Sequence, residues 1–371
     1  MINTNNRRLN TMQPIKTNPY KAVSFVESSV EKALERAGYL IADTKHDGVR
    51  GNIVVDNTAD SIWLSRVGKT IPALEHLNGF DKRWQKLLQD DRWIFPDGFM
   101  LDGELMVKGV DFNTGSGLLR TKWLKTTNMQ FDVGGPYEEF SPELKGLPFA
   151  LHPQYLKVVL YDIVPLDVIE SGNDYEVMTL LRLEHVKIIL PILREHFPEI
   201  EWCLSESHEV YDMTELNALY ESKRAEGHEG LVVKDPMDIY KRGKKTGWWK
   251  MKPECEADGV VVGLLWGTLG LANEGKVIGF EVLLESGRVV NATNISQELM
   301  DEFTAEVKRN SLDATGLFMP YGLGDNAPYN HNPYEGWQCQ IKYMEETRDG
   351  SLRHPSFDKW RGTESDPTVK M

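Results

Sequence analysis

The eight residues Asp43-Thr44-Lys45-His46-Asp47-Gly48-Val49-Arg50 constrain this chain more than any other stretch. They follow the short apolar run Tyr39-Leu40-Ile41-Ala42, so a strand carries a lysine to its mouth, with an aspartate two residues on and then a glycine. A lysine amine is a good nucleophile only when neutral, and its ordinary pKa is about 10.4. Nearby cations and partial burial lower that value. Lys234, Lys250 and Lys252, together with a bound metal, are candidate cations for this, and the same groups would neutralise the charge on a reacting phosphate.

Lys-x-Asp-Gly is only four residues, and alone it fits an exposed lysine before a turn. What makes it specific is the series that follows. Asp102-Gly103-Glu104 interrupts the strand predicted over Phe99 to Val107, and the side-chain period of two puts Asp102 and Glu104 on one face. Glu229-Gly230 precedes Lys234 by five residues. That spacing would put Glu229 and Lys234 on opposite faces of a regular strand, so Glu229 belongs in the turn before it. Lys250 and Lys252 share a strand face and can point together at a phosphate. Glycines beside acidic residues let backbone approach a ligand closely. Glu104 and Glu229 are suited to a ribose hydroxyl or a hard divalent cation, which takes oxygen ligands.

Taken in order, the chain begins with a polar arm over residues 1–13. Val23, Val26, Val30, Ala33, Leu34 and Ala37 then recur at helical spacing, with Gly38 as the stop. Residues 51–55 and 61–66 read as a hairpin around a turn at 57–60. No regular structure is assigned to the glycine-rich, polar residues 108–150. A strand over 156–163, a helix over 179–196 and a second helix opened by the capping box Asp212-Met213-Thr214-Glu215 follow. Strands over 231–234 and 248–252 close this part. Pro253 marks a change to short strands and glycines with one helix at 297–309, which fits a small barrel of the oligonucleotide-binding kind. The expected fold is α+β: a domain of antiparallel sheets with helices over 14–252, then a β-barrel over 253–371.

The net charge of −14 argues against general nucleic-acid affinity, which comes mostly from phosphate neutralisation. The basic residues are unevenly spread, however. Lys241-Arg242-Gly243-Lys244-Lys245 is dense, and Lys250 and Lys252 follow at once, which makes a local binding surface the expectation. Cys203, Cys255 and Cys339 form no metal-ligand spacing, and they fit a reducing cytoplasm. No apolar run reaches the roughly 18 residues of a membrane span, and no signal peptide is visible.

These motifs in this order resemble the ATP-dependent DNA ligases, and within them the compact ligases of short-tailed coliphages. The likeness covers nearly everything after residue 13. It extends to stretches outside the motifs, such as Lys69-Thr70-Ile71-Pro72-Ala73-Leu74-Glu75-His76, Phe112-Asn113-Thr114-Gly115-Ser116-Gly117 and Trp248-Trp249-Lys250-Met251-Lys252-Pro253-Glu254. The resemblance implies an ATP-grasp-like nucleotidyltransferase (adenylation) domain followed by an oligonucleotide-binding (OB) fold. It implies that Lys45 becomes adenylylated, that Arg50 and Arg66 contact the sugar or the nicked end, and that Glu104 holds the ribose hydroxyl. Tyr161 would stack on adenine. Glu229, with Glu104, would place magnesium, and Lys234, Lys250 and Lys252 would bind phosphate. Lys21, Thr44 and Lys244 complete the expected nucleotide set. So does Asp43, where the family often has glutamate; the shorter side chain would weaken a contact to the adenine amine. Arg353-His354-Pro355-Ser356-Phe357 and Arg361 resemble the last family motif, which orients pyrophosphate in the first step.

The implied activity is nick sealing in duplex DNA, with ATP as AMP donor and magnesium, by a monomer in the cytoplasm, in replication, repair and recombination. Two relatives share the lysine motif, the RNA ligases and the guanylyltransferases that cap RNA. A binding module with an OB barrel and a degenerate partner domain is the non-enzyme alternative. An NAD-dependent ligase is disfavoured, because that family adds a nicotinamide-binding module and a four-cysteine zinc site.

Overall fold

The computed structural model describes residues 12–310, 331–346, 351–363 and 365–369. Most of the expected arm, residues 1–11, lies outside them. Met12 does not behave as arm: its backbone N–H donates to Asp60 Oδ2 at 3.0 Å and its side chain packs against buried residues. The chain divides into two compact units, Met1–Met251 and Lys252–Met371.

In the first unit the strands are, in order, β1 Lys21–Ser24, β2 Leu40–Lys45, β3 Val49–Asp56, β4 Asp60–Ser65, β5 Gly79–Phe80, β6 Gly98–Val107, β7 Leu156–Pro165, β8 Tyr175–Met178, β9 Glu201–Leu204, β10 Ser207–Val210, β11 Gly230–Lys234, β12 Ile239–Tyr240 and β13 Lys244–Met251. The helices are α1 Glu27–Ala37, α2 Lys82–Leu88, α3 Phe112–Arg120, α4 Leu166–Ser171, α5 Thr179–His196 and α6 Met213–Ala225. One sheet has the order β1-β13-β11-β2-β10 and a second the order β5-β4-β3-β6-β7-β9.

The alternation of each strand assigns its faces. Leu40, Ala42, Leu231, Val233 and Trp249 cover the outer face of the first sheet with Val30 and Ala33 of α1 and Leu216 of α6. Ile53, Leu101, Leu105 and Val158 pack the outer face of the second sheet against Leu118 of α3 and Val186, Ile189 and Leu193 of α5. The inner faces are joined at one end by an apolar layer of Tyr20, Val54, Met100, Val164, Tyr240 and Trp248. Further along the same faces the side chains turn polar, and that is where the motif residues fall.

Two local readings of the sequence change here. The first helix begins at Glu27, not Val23, because Val23 lies in β1, hydrogen-bonded in parallel to β13. Val23 and Val26 have helical spacing, and sheet pairing overrides it for Val23 while Val26 becomes the N-cap. The helix does stop at Gly38, whose φ of 81° is the left-handed cap conformation. Residues 108–150 do contain a helix, α3, capped by Asp111, whose carboxylate accepts the Thr114 N–H at 3.0 Å. Gly115 and Gly117 hid it, since glycine weakens the helical signal.

The second unit holds β14 Cys255–Trp266, β15 Val277–Leu284, β16 Val289–Ala292, β17 Gln338–Tyr343, β18 Ser356–Trp360 and α7 Gln297–Asn310. The sheet order is β16-β15-β14-β17-β18. The expected closed barrel is not continuous among the described residues. Its two edge strands meet only through an isolated bridge, Thr293 with Ser356. Phe280, Phe303, Tyr334, Phe357 and Trp360 form an aromatic core against α7.

Candidate active site

The two central strands of the first sheet set the geometry. β2 runs antiparallel to β11 with Lys45 opposite Gly230, Asp43 opposite Val232 and Ile41 opposite Lys234. Lys45 and Asp43 therefore lie on the inner face, two residues apart. Glu229 sits in the turn just before β11, and its carboxylate ion-pairs with Lys45 Nζ. Gly230 has φ of 144°, in the region that favours glycine, so the turn into the strand needs that residue.

The second sheet supplies the facing wall. Arg50 pairs with Glu104 and Asn52 with Asp102 across β3 and β6. The glycine of Asp102-Gly103-Glu104 is sterically required: a Cβ there would lie 2.5 Å from the Val159 carbonyl oxygen. Gly48, in the lysine motif, is likewise required, because a Cβ would lie 2.8 Å from the Leu105 carbonyl oxygen. Between β6 and β7 the register shifts, with Asp102 opposite Asp162 and Gly103 opposite Leu160. Tyr161 is the extra residue of this bulge. A bulge re-aims a side chain, and here the Tyr161 hydroxyl donates to Glu104 Oε2 at 3.0 Å.

A buried polar network holds the wall in place. Asp102 accepts both forks of Arg50 at 2.9 and 2.6 Å, Asn52 Nδ2 at 3.0 Å and the Tyr240 hydroxyl at 2.7 Å. Thr17 donates in turn to Asn52 Oδ1 at 2.7 Å. The Arg50 guanidinium also lies 5.7 Å from the Tyr161 ring centre. Lys234 Nζ ion-pairs with Asp43 Oδ2 at 2.5 Å. It lies 4.4 Å from the Trp248 ring centre and 5.7 Å from that of Tyr161. Ser207 of β10 donates to the other Asp43 oxygen at 2.5 Å.

Burial dominates the protonation of the acids here. It pushes the Glu104 carboxyl up to about 7, against the opposing pull of Lys45, the Tyr161 hydrogen bond and Arg50. The Tyr161 hydroxyl is raised well above its ordinary value, first by burial and then by Glu104. His46 is pushed down to about 4 by burial, with Lys157 and His228 adding to the effect. The Lys21 ammonium is lowered by burial and then by Arg66, Arg50 and Lys16, so these cations share a field.

The structure thus brings together Lys45, Glu229, Glu104, Tyr161, Arg50, Asp43 and Lys234. Lys250 is opposite Val232, and so on the face of Asp43. Four other expected residues are placed differently. Thr44 points away from the site, as the alternation of β2 demands: it is opposite Leu231, its backbone bonds go to Glu206 and Ser205, and its hydroxyl is buried without a partner. Lys244 is exposed at the start of β13, in register with Lys21 rather than with the strand positions beside Lys45. Lys252 falls in the second unit. Arg66 is exposed in the turn after β4.

The ion-pair partner of Lys45 in this structure is the Glu229 carboxylate. The basic run at 241–245 is not a uniform phosphate surface. Arg242 is buried and donates to the carbonyls of Thr17, Asn18 and Val168, and Lys241 pairs with Asp238 at 2.8 Å. Sequence reasoning missed Asn52, Ser207 and Tyr240. Asn52 was within reach, since it alternates with Arg50 on the same strand. Ser207 and Tyr240 carry no local signal, and only the sheet order brings them here.

Comparison with known proteins agrees with this geometry. Residues 19–252 match the ATP dependent DNA ligase domain, and residues 253–361 match the DNA ligase C-terminal domain. The chain is 69% identical to the DNA ligase of Escherichia phage T7, over 97% of this chain and 100% of that one. It is 62% identical to the DNA ligase of Enterobacteria phage T3, over 97% and 100%. Among solved structures, the ATP-dependent DNA ligase from bacteriophage T7 in complex with ATP superposes with a TM-score of 0.61 at 68% identity, covering 93% of this chain and 98% of that one.

Proposed function

The chain belongs to the ATP-dependent DNA ligase family, and from that premise we propose that Lys45 is the residue that takes up AMP. The observation that carries this reading is the position of Lys45. It stands at the end of β2 with 22% of its side chain exposed, paired with Glu229, and close enough to Glu104 to act on its ionisation. The lysine is therefore fixed yet reachable from solvent.

In the proposed reaction Lys45 Nζ, once neutral, attacks the α-phosphorus of ATP. A P–N bond forms and pyrophosphate leaves. The AMP then passes to the 5′-phosphate of a nick in double-stranded DNA. The adjacent 3′-hydroxyl attacks that phosphate, a phosphodiester forms and AMP departs. The bulge residue Tyr161 supplies an aromatic face for the adenine. Glu104, held by the Tyr161 hydroxyl, takes a ribose hydroxyl. Lys234 and Lys250, on the inner face of the first sheet, counter phosphate charge. Arg50 is presented rigidly by Asp102, which suits contact with a phosphate of the nicked end. Asp43 bounds the base pocket, and Lys21 and Arg66 extend the cationic field outwards.

Magnesium fits the donors at this place. Among the described residues no group of three His, Cys, Asp or Glu side chains could hold a metal ion. Magnesium, however, commonly takes one or two carboxylates with substrate phosphate oxygens, and Glu104 and Glu229 meet that description. When bound it supplies positive charge against the phosphate oxygens. Glu104 and Glu229 would hold it, and the Glu229 carboxylate is also the group that pairs with Lys45 Nζ. The protein is proposed to act as a monomer in the host cytoplasm, in DNA replication, repair and recombination. No helix among the described residues is long and apolar enough to cross a membrane.

The test uses α-labelled ATP and GTP. ATP should label the protein, GTP should not, and Lys45→Ala should abolish the label. Nicked DNA should then be sealed in preference to nicked RNA. Label retained by Lys45→Ala would overturn the assignment.

A further inference from the structure

Across β2 and β10, Ser207 stands directly opposite Asp43. Residues directly opposite one another share a sheet face, so Ser207 belongs to the inner face with Asp43 and Lys45. The two residues differ in what can reach them. Asp43 is only 2% exposed. Lys234 covers one of its carboxylate oxygens and the Ser207 hydroxyl the other, each at 2.5 Å. Ser207 itself is exposed. With Asp43 it lines a cavity of about 170 Å³ whose apolar walls are Ile41 of β2, Leu160 of β7, Leu180 and Leu183 of α5 and Leu204 of β9. Lys234 Nζ, which pairs with Asp43, also lies 5.7 Å from the Tyr161 ring centre. The aromatic face and the Asp43–Ser207 pair therefore border one space.

Hydroxyl chemistry fixes what Ser207 can recognise. A serine hydroxyl has one proton and two lone pairs, and an ionised carboxylate only accepts. The proton has two acceptors in reach, Asp43 Oδ1 at 2.5 Å and the Ser205 carbonyl at 3.4 Å. The nearer, charged one holds it. The hydroxyl thus shows the cavity lone pairs alone. The other polar side chains of the lining are engaged. Ser205 donates to the Thr44 carbonyl at 2.8 Å, and Lys187 pairs with Glu184 at 2.6 Å. His208 meets Glu206 at 3.0 Å, and Glu209 accepts the Tyr211 hydroxyl at 2.6 Å. An apolar slot with one such acceptor suits a flat ring that carries an N–H donor on its edge. In ATP the base has one such donor group, the exocyclic amine. Guanine and hypoxanthine carry a carbonyl oxygen at that position, and its lone pairs would face those of Ser207.

We propose that Ser207 is the residue that selects adenine: its hydroxyl, held as an acceptor by Asp43, takes a hydrogen bond from the exocyclic amine of ATP. Asp43 is a positioning residue that acts through Ser207, and the serine supplies the reach that the short acidic side chain lacks. This rests on the reading of the inner face as the ATP site.

The experiment measures nucleotide affinity by calorimetry on the full chain carrying Lys45→Ala, so that binding is read without chemistry. The ligands are ATP, purine riboside triphosphate, which has no group at position 6, and inosine triphosphate, which has a carbonyl there. With Ser207 in place, ATP should bind about tenfold more tightly than purine riboside triphosphate, and inosine triphosphate should bind most weakly. Ser207→Ala should weaken ATP about tenfold and leave purine riboside triphosphate unchanged, so that the two bind alike. Ser207→Thr keeps the hydroxyl and should restore the preference. In Asp43→Asn the amide oxygen turns to Lys234 and its NH₂ to Ser207. The serine proton is then free for a carbonyl, and the ratio of ATP to inosine triphosphate affinity should fall about tenfold. Thermal unfolding shows which variants are folded; Ser207, exposed on an edge strand, can be replaced without loss of the fold. Unchanged ATP affinity in Ser207→Ala overturns the proposal. So does a loss that falls equally on ATP and purine riboside triphosphate. Protein–AMP formation by the parent chain reads the ligase chemistry separately: if it fails while the preference for ATP persists, the base contact stands and the assignment of Lys45 falls.

Discussion

Two lysine–carboxylate pairs bridge the same two neighbouring strands of the first sheet, and they run in opposite senses. In one, β2 gives the lysine and the turn before β11 gives the acid: Lys45 with Glu229. In the other, β2 gives the acid and β11 the lysine: Asp43 with Lys234. The first pair is at the strand ends, with 22% and 9% of the two side chains exposed; the second is one step inside, with 2% and 3% exposed. The Coulomb attraction is the same in kind, but the surroundings differ. Near water a pair contributes little and can open. In the interior, separating the partners leaves a charge without compensation. The comparison suggests a division of labour: the outer pair is the one that can part for chemistry, and the inner pair keeps the face in register behind it.

The largest effect should come from the outer pair, and in activity alone. Lys45→Ala should lower protein–AMP formation by at least about 10⁴-fold, because no other amine occupies that place. Its unfolding free energy should change by less than that of the inner pair, because part of the Lys45 side chain reaches water. A large loss of stability would show that the outer pair is structural after all.

Loss of the inner pair should lower activity too, since Lys234 counters phosphate charge, but it should also cost stability. Asp43→Ala leaves the Lys234 ammonium buried against Trp248 and Tyr161 with no carboxylate. The cost should be about 3–5 kcal/mol, read from the unfolding transition of the first unit. Replacing both partners, Asp43→Leu with Lys234→Met, should recover most of it. If the single variant is as stable as the parent, the two pairs do not differ as argued.

The outer pair was easier to anticipate than the inner one, for a physical reason. Lys45, Glu104 and Glu229 each belong to a short motif with a glycine that the backbone needs, so local sequence marks them. Gly48 and Gly103 leave no room for a Cβ, and Gly230 needs its positive φ. Lys234 was marked too, by the motif five residues before it, but its pairing with Asp43 was not; Ser207 carries no mark, and both reach Asp43 only through the order β11-β2-β10, which is a property of the sheet. The same limit explains Lys244 and Arg242. A run of basic residues looks like one surface when written as a line. The folded chain sends Arg242 into backbone carbonyls and leaves Lys244 exposed in register with Lys21. The two-unit organisation was legible from the change at Pro253, while the near-closure of the second sheet by one bridge was not, because it depends on which edges meet.

A smaller effect separates charge from shape in the outer pair. Glu229→Gln keeps a hydrogen-bond acceptor near Lys45 and removes the negative charge. Protein–AMP formation should fall about a hundredfold, the usual size for losing one electrostatic contribution to a transition state. The unfolding free energy should hardly move. A fall in stability matching that of Asp43→Ala would place Glu229 with the inner pair.

The smallest effect concerns Glu104, which stands opposite the outer pair and shows what burial does to a carboxyl without a committed cation. Its pKa in the fold is raised to about 7 by burial, above the ordinary value of about 4.3. A raised carboxyl pKa means that the folded chain holds the proton more tightly than the unfolded chain does. Its contribution to stability is then fully present below about pH 4.3 and is lost as pH rises through about 7. Glu104→Gln cannot ionise, so it escapes that loss. The variant should gain on the parent by about 2 kcal/mol between pH 5 and pH 8, measured as the difference between the two unfolding curves at each pH. A difference that stays constant over this range would mean that Glu104 is already ionised in the fold at pH 5, with Lys45 shared between two carboxylates rather than held by Glu229 alone.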